Sequence, residues 1–261
     1  MKFHRIYAII IRNLFAYKRS LDRLTDAFYW PALDLIIWGL TSKFFTQSNN
    51  DSFNLVSIIV SAIIIWLFLW RAQYEISINV VDELWNKNLV NLFGSPLKFS
   101  EWIASFLILG FIKIILSVGF AMGLAYFLYR VEIFSLGFYL IPFMILLILN
   151  GWVLGFIVSG LILSYGSKVQ TLVWVTGWAI SPFCAIYYPV STLPAWAQKI
   201  AFFTPPSYIF EGMRQVINQG RFDLNKLIIP AILTLIYLFL SLLYIKNSFN
   251  KLMDKGLVKA F

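Results

Sequence analysis

The stretch SIIVSAIIIWLFLW, residues 57–70, decides the class of this protein, because it carries no charged side chain. Similar apolar blocks recur along the 261 residues, of which 60% are hydrophobic and 13% are charged. A soluble domain is about half apolar and about a quarter charged. Since a membrane-spanning helix needs about 20 apolar residues, the sequence predicts an all-α membrane protein with one transmembrane domain, residues 1–261.

The apolar blocks predict six transmembrane helices. We expect them near residues 27–46, 54–74, 102–129, 135–164, 169–188 and 227–246. A basic amphipathic stretch, residues 2–24, precedes the first block. Its isoleucines and leucines share one helical face and its arginines lie on the other, which predicts a helix in the membrane interface.

The basic residues predict the orientation of these spans. The formal net charge is +9, and the lysines and arginines cluster at the ends of apolar blocks. This pattern is typical of membrane orientation rather than nucleic-acid binding, and it places both termini in the cytoplasm. The loop QSNNDS, residues 47–52, fits the opposite side because it has no basic residue. The segment after the fifth span is the exception, since it carries Lys199, Arg214, Arg221 and Lys226.

The sequence has few residues of the types that act in catalysis or bind metals. Cys184 is the only cysteine and His4 is the only histidine. We therefore expect no internal disulfide, no metal site and no catalytic site. A membrane-embedded lipid-modifying enzyme is a remote alternative, because intramembrane acids are sparse. An ion-coupled secondary transporter is also disfavoured, since such proteins usually show internal repeats and paired broken helices.

The segment ELWNKNLVNLFGSPLKFSEWIAS, residues 83–105, lies between the second and third spans. Apolar residues recur in it at helical spacing, and Gly94 and Pro96 provide a helix stop. The pattern predicts a short amphipathic helix at the cytoplasmic surface. Such a helix either packs beneath the membrane or fits a groove on a cytoplasmic partner.

A second patterned segment, SPFCAIYYPVSTLPAWAQKIAFFTPPSYIFEGMRQVI, covers residues 181–217. Pro182 can break the fifth helix, and the later prolines cut the chain into short pieces. Non-helical backbone at membrane depth is tolerated only where protein or a cavity surrounds it. The segment is therefore either a re-entrant structure or an interfacial loop that lies flat on the outer leaflet.

Together, the two segments resemble the ABC-2 type transporter permeases. The second is similar to the family pattern YPV-x2-LP-x-W followed by P-x-x-Y-x-x-E-x-x-R. Asn88 departs from the family pattern of the first segment, where many members have glycine, and Pro206 departs from that of the second. The resemblance covers essentially the whole chain. It implies a permease of the bacterial or archaeal inner membrane that works as a homodimer or paired permease and exports an amphipathic substrate. That substrate would be a lipid, a glycolipid or a drug-like molecule, and a polysaccharide or lipid-linked glycan is the alternative.

The resemblance also implies roles for both segments. The first is similar to the coupling helix that docks on a separate ATP-binding subunit, and its expected docking residues are Glu83, Leu84, Trp85, Leu89, Leu92, Phe93, Gly94 and Pro96. The second is similar to a re-entrant cap, and its expected residues are Pro189, Leu193, Pro194, Trp196, Pro205, Tyr208, Glu211 and Arg214. The chain has no G-x4-G-K-[ST] pattern, so ATP and Mg²⁺ are expected in the partner subunit.

Two charged residues lie inside the predicted spans, away from the span ends. Asp34 lies in the first and Lys113 in the third. Intramembrane charges are costly and usually face a cavity or a partner. The two residues are therefore expected either to pair with each other or to line the transport path, while Glu75 is expected to bond to the start of the coupling helix.

Overall fold

A computed structural model of the chain describes residues 1–46 and 52–255, and this part is helical without strands. The predicted loop at residues 47–52 thus lies outside the described residues except for Ser52. The α-helices are α1 Phe3–Arg19, α2 Leu21–Thr46, α3 Ser52–Trp85, α4 Leu89–Gly94, α5 Phe99–Tyr129, α6 Leu140–Tyr165, α7 Leu172–Ile180, α8 Ala195–Phe202, α9 Pro205–Gln219 and α10 Ile228–Lys255. Short 3₁₀ turns join several of them, including Ile133–Tyr139 before α6.

Four helical stretches in the described residues are long and apolar enough to cross a membrane. They are Leu55–Trp85, Phe99–Tyr129, Ile133–Val169 and Leu224–Asp254. They correspond to the second, third, fourth and sixth predicted spans. At about 1.5 Å per residue, α3 is about 50 Å long and exceeds the thickness of a hydrocarbon core by about 20 Å.

The other two predicted spans differ from these four. The first lies in α2, which passes through Pro31 and carries Asp26, Asp34 and Lys43, so its composition is less apolar. The fifth, predicted near residues 169–188, contains only the nine-residue helix α7, which is about 14 Å long. A 3₁₀ turn with Pro182 follows, and Ala185 then adopts a left-handed conformation with φ 54°. No single helix of span length therefore covers residues 169–188.

The N-terminal helix is shorter than predicted. It ends at Arg19 because Ser20 is extended, with φ −106° and ψ 110°, and residues 21–24 begin α2 instead. Its apolar face, which includes Ile6, Ile9 and Ile10, is buried against the protein's own core. The face that we expected to meet lipid therefore packs on protein, and the position of α1 relative to a membrane stays a prediction.

The prediction of one separate helix between the second and third spans is wrong. Its first half is the end of α3, which continues to Trp85, and its second half is the six-residue helix α4. Lys87 breaks the two apart with a left-handed φ of 51°. The tertiary contacts of α3 extend that helix beyond the apolar block from which its end was predicted.

The core has two apolar clusters that are stacked along α3. One surrounds Leu69, Phe143 and Phe210, and the other surrounds Val80, Trp102 and Phe156. Close contact between α3 and α6 joins them. A Cβ atom on Gly151 would lie 2.5 Å from the Leu69 carbonyl oxygen. Small residues allow such close helix approach in membrane proteins.

Candidate coupling surface and membrane cavities

Three arginines of α1 and α2 form ion pairs with the segment around α4. Arg5 lies 3.4 Å from the carboxylate of Glu101, Arg23 lies 2.6 Å from that of Asp82, and Arg12 pairs with Glu83. From the sequence, these arginines were expected only on the polar face of an interfacial helix and as determinants of membrane orientation. Their partners are distant in sequence, so no local spacing could have identified the pairs.

Glu83 fixes the break between α3 and α4. Its carboxylate accepts a hydrogen bond of 2.8 Å from the Asn88 side chain, and its carbonyl accepts one of 2.9 Å from the Asn88 backbone. Asn88 has φ −90°, so this position does not require the glycine found in many family members. Because Glu83 is almost wholly buried, it positions the turn and does not present its side chain to a partner.

The expected docking residues divide into buried and exposed groups. Leu84 and Leu89 are buried in the core, while Leu92 and Phe93 are half-buried. The Phe93 ring lies 5.4 Å from that of Trp102 and 4.6 Å from that of Phe249. These side chains tie α4 to α5 and α10. Leu84 and Leu89 therefore belong to a core face, and the prediction that they form a docking face is wrong.

The exposed group forms a surface that we call the α4 surface. It consists of Trp85, Val90, Asn91, Gly94 and Pro96. Val90 and Asn91 are not among the docking residues expected from the sequence. Trp85 is anchored at its ring nitrogen, which donates a hydrogen bond of 2.8 Å to Gln170 in the turn after α6. The α4 surface is thus held by α3, α5, α10 and that turn.

Glu211 and Arg214 organise the segment predicted as a re-entrant cap. The Glu211 carboxylate accepts a hydrogen bond of 2.6 Å from the backbone of Val190, and it lies 3.2 Å from Arg214. Arg214 donates to the carbonyl oxygens of Ala185 and Ile186, at 2.8 and 3.2 Å. The two side chains therefore fasten α9 to the chain that leaves α7.

The remaining cap residues have different surroundings. Pro205 is buried, Leu193 is half-buried, and Pro189, Pro194 and Trp196 are exposed. The hydroxyl of Tyr208 donates to the carbonyl of Phe202 at 3.0 Å, which joins α8 to α9. The structure brings these residues into one compact unit at the α7–α9 end of the molecule.

Lys113 pairs with Glu75 rather than with Asp34. Its Nζ atom lies 2.5 Å from the Glu75 carboxylate and 4.7 Å from the centre of the Tyr17 ring. The predictions that Lys113 meets Asp34 and that Glu75 bonds to the coupling helix are therefore wrong. Burial, followed by the nearby Glu75 charge, raises the pKa of Tyr17 to about 12.

Asp34 opens onto a cavity of about 310 Å³ between α2, α3 and α7. Within residues 1–46 and 52–255, no hydrogen bond or ion pair joins Asp34 to another side chain. Five tryptophans line the same cavity, and so does the ion pair of Asp26 and Arg71, whose atoms lie 2.6 Å apart. A separate apolar cavity of about 480 Å³ lies between α6, α10 and the start of α9.

The chain matches the model of a known protein family. A family model described as "ABC-2 family transporter protein" matches residues 38–243, which is most of the chain. A search of curated proteins finds no match. The matched range extends from the middle of α2 into α10. It includes the α4 surface, the segment fastened by Glu211 and the α3 and α7 walls of the cavity beside Asp34, whereas Asp34 itself precedes it.

Proposed function

This chain belongs to the ABC-2 transporter family, and we propose that it is the permease subunit of an ABC exporter that moves an amphipathic substrate. It is thus the membrane subunit of an ABC transporter, a family whose members pair with an ATP-binding subunit. The observation that carries the proposal is the α4 surface, a small exposed patch held by several long helices.

The contacts of α4 support a role in transmitting movement. A displacement of α4 acts on α5 through Trp102, on α10 through Phe249 and on α3 through Glu83. The arginines of α1 and α2 hold the same region from the other side. A docking partner that moves α4 would therefore move the helices around the cavities, whereas an isolated loop would absorb the displacement.

The proposed topology has six crossings with both termini in the cytoplasm. The first crossing is α2, and the fifth is α7 together with the fastened segment up to α9. A nine-residue helix covers only about half of a hydrocarbon core. The backbone beyond it is tolerated in the membrane if protein surrounds it, and the burial of Ala185 and Ile186 supports that arrangement.

The proposed assembly is a homodimer, or a pair of related permeases, in a bacterial or archaeal cell membrane. Residues on one side of α2, including Ile37, Leu40 and Phe44, are more than half exposed. They would face lipid or the second permease. The cavities of about 310 and 480 Å³ have the size of drug-sized ligand sites, which favours a small amphipathic substrate over a glycan chain.

Copurification tests the proposal. The tagged chain is extracted in mild detergent, and ATPase activity is measured in whatever binds to it. Val90→Asp places a charge on the α4 surface, and Val90→Ala is the matched neutral control. We expect wild type and Val90→Ala to retain an ATP-binding subunit and Val90→Asp to lose it. If the folded wild type retains no ATPase, the proposed function is wrong.

A further inference from the structure

The cavity beside Asp34 combines aromatic walls with one carboxylate. Trp30 comes from α2, Trp66 and Trp70 from α3, and Trp174 and Trp178 from α7. The rings of Trp70 and Trp178 are in edge contact, with centroids 5.7 Å apart. Gly177 makes this contact possible, because a Cβ atom there would lie 2.2 Å from the Trp70 ring.

The charges that line the cavity leave one negative charge uncompensated. Arg71 is almost wholly buried and bonds both to the carboxylate and to the backbone carbonyl of Asp26, so these two residues neutralise each other. Asp34 has no such partner among the described residues. A carboxylate at membrane depth is costly unless a cation meets it.

Tryptophan faces attract organic cations, and cages of aromatic rings bind alkylated ammonium groups. An anion would be repelled by both Asp34 and the ring faces, while a neutral ligand would leave the carboxylate unpaired. We propose that this cavity binds the alkylated ammonium group of an amphipathic cation, with Asp34 as the counter-ion and the tryptophans as the cage. This inference rests on the proposed function, since it names the chemical class of the transported substrate.

Binding of two probes of similar size and opposite charge tests the inference. Isothermal titration calorimetry is run on the full-length chain in detergent with benzyltrimethylammonium and with benzenesulfonate. We expect heat of binding from the cation alone. Asp34→Asn is expected to weaken cation binding about tenfold or more, and Glu132→Gln, at an exposed carboxylate outside the cavity, to leave it unchanged.

A second variant tests the same site independently, in case Asp34→Asn does not fold. Trp178→Leu keeps an apolar wall but removes the electron-rich ring face, and we expect cation binding to fall about fivefold. Equal binding of the two probes, or cation binding that is unaffected in both Asp34→Asn and Trp178→Leu, would overturn the proposed site.

The ammonium group could belong to a lipid headgroup or to a soluble compound. The titration is therefore repeated in nanodiscs of phosphatidylcholine and of phosphatidylethanolamine, which are both zwitterionic and differ in the alkylation of the ammonium group, so surface charge does not bias the cationic probe. Weaker probe binding in phosphatidylcholine assigns the site to a choline headgroup, and equal binding assigns it to a soluble cation. Cation binding without a copurifying ATPase would refute the proposed function but not the site, whereas an ATPase without cation binding would refute the site alone.

Discussion

At the scale of single residues, the buried ion pair of Glu75 and Lys113 joins α3 to α5. Both side chains are at most 8% exposed. Removal of one partner leaves an uncompensated buried charge, so we expect Lys113→Met to lower the free energy of unfolding by about 3–5 kcal/mol. Thermal unfolding in detergent measures the loss.

The double variant Lys113→Met with Glu75→Gln is the control for that prediction. Neutral groups of similar size replace both charges, and such replacements are often close to neutral in stability. We expect the double variant to recover most of the loss. A double variant as unstable as the single one would mean that the pair's geometry, rather than its charge balance, holds α3 against α5.

The pair of Arg23 and Asp82 joins α2 to the end of α3 near the α4 surface. Both side chains are partly exposed, so the pair is worth about 1 kcal/mol or less. Arg23→Asp and Asp82→Arg each replace this attraction by a repulsion between like charges, so each should destabilise the protein by up to about 2 kcal/mol. The swap of both should restore stability. A double-mutant cycle in thermal unfolding measures the coupling, and additive losses would show that the two residues do not interact.

At the scale of elements, the contact between α3 and α6 depends on small residues. A Cβ atom on Gly151 would lie 2.5 Å from both the Leu69 carbonyl oxygen and the Ala72 Cβ atom. Backbone cannot yield as a flexible side chain can, so Gly151→Ala should destabilise the protein by about 1–3 kcal/mol through overpacking.

Gly123 supplies a matched control for this substitution. It lies inside α5, and a Cβ atom there would meet nothing within 4 Å. Gly123→Ala should therefore leave stability unchanged or raise it by up to about 1 kcal/mol, because alanine favours the helix. Equal losses in both variants, measured by thermal unfolding, would contradict the close contact between α3 and α6.

At the scale of the whole molecule, the proposed six crossings separate the turn after α6 from the segment around α8. Lys168 and Lys199 are both exposed, and the only other thiol, Cys184, is buried. A membrane-impermeant maleimide should label Lys199→Cys in intact cells and label Lys168→Cys only after permeabilisation. Labelling of both positions from the same side would show that α7 does not cross the membrane.

The sequence alone identified the ABC-2 family, the helical membrane class and four of the spans. These predictions depend only on residues that are close together in the sequence. Apolar blocks predict helices that are removed from water, and the family pattern, with its prolines, Glu211 and Arg214, lies in one continuous segment. The match of the family model over residues 38–243 confirms the predicted family. The predicted positions of Asp34 and Lys113 within helices also follow from the local pattern.

The tertiary structure decided which residues of each helical pattern are buried and which charged residues pair with each other. Helical spacing could not distinguish a core face from a docking face, because Leu84 and Leu89 are buried by distant helices. Likewise, the partner of Lys113 was not predictable, since Glu75 is 38 residues away. The end of α3 and the tryptophan-lined cavity beside Asp34 both depend on contacts between segments distant in sequence. Such contacts form only when the helices pack, and their geometry is not encoded in the periodicity of any one segment.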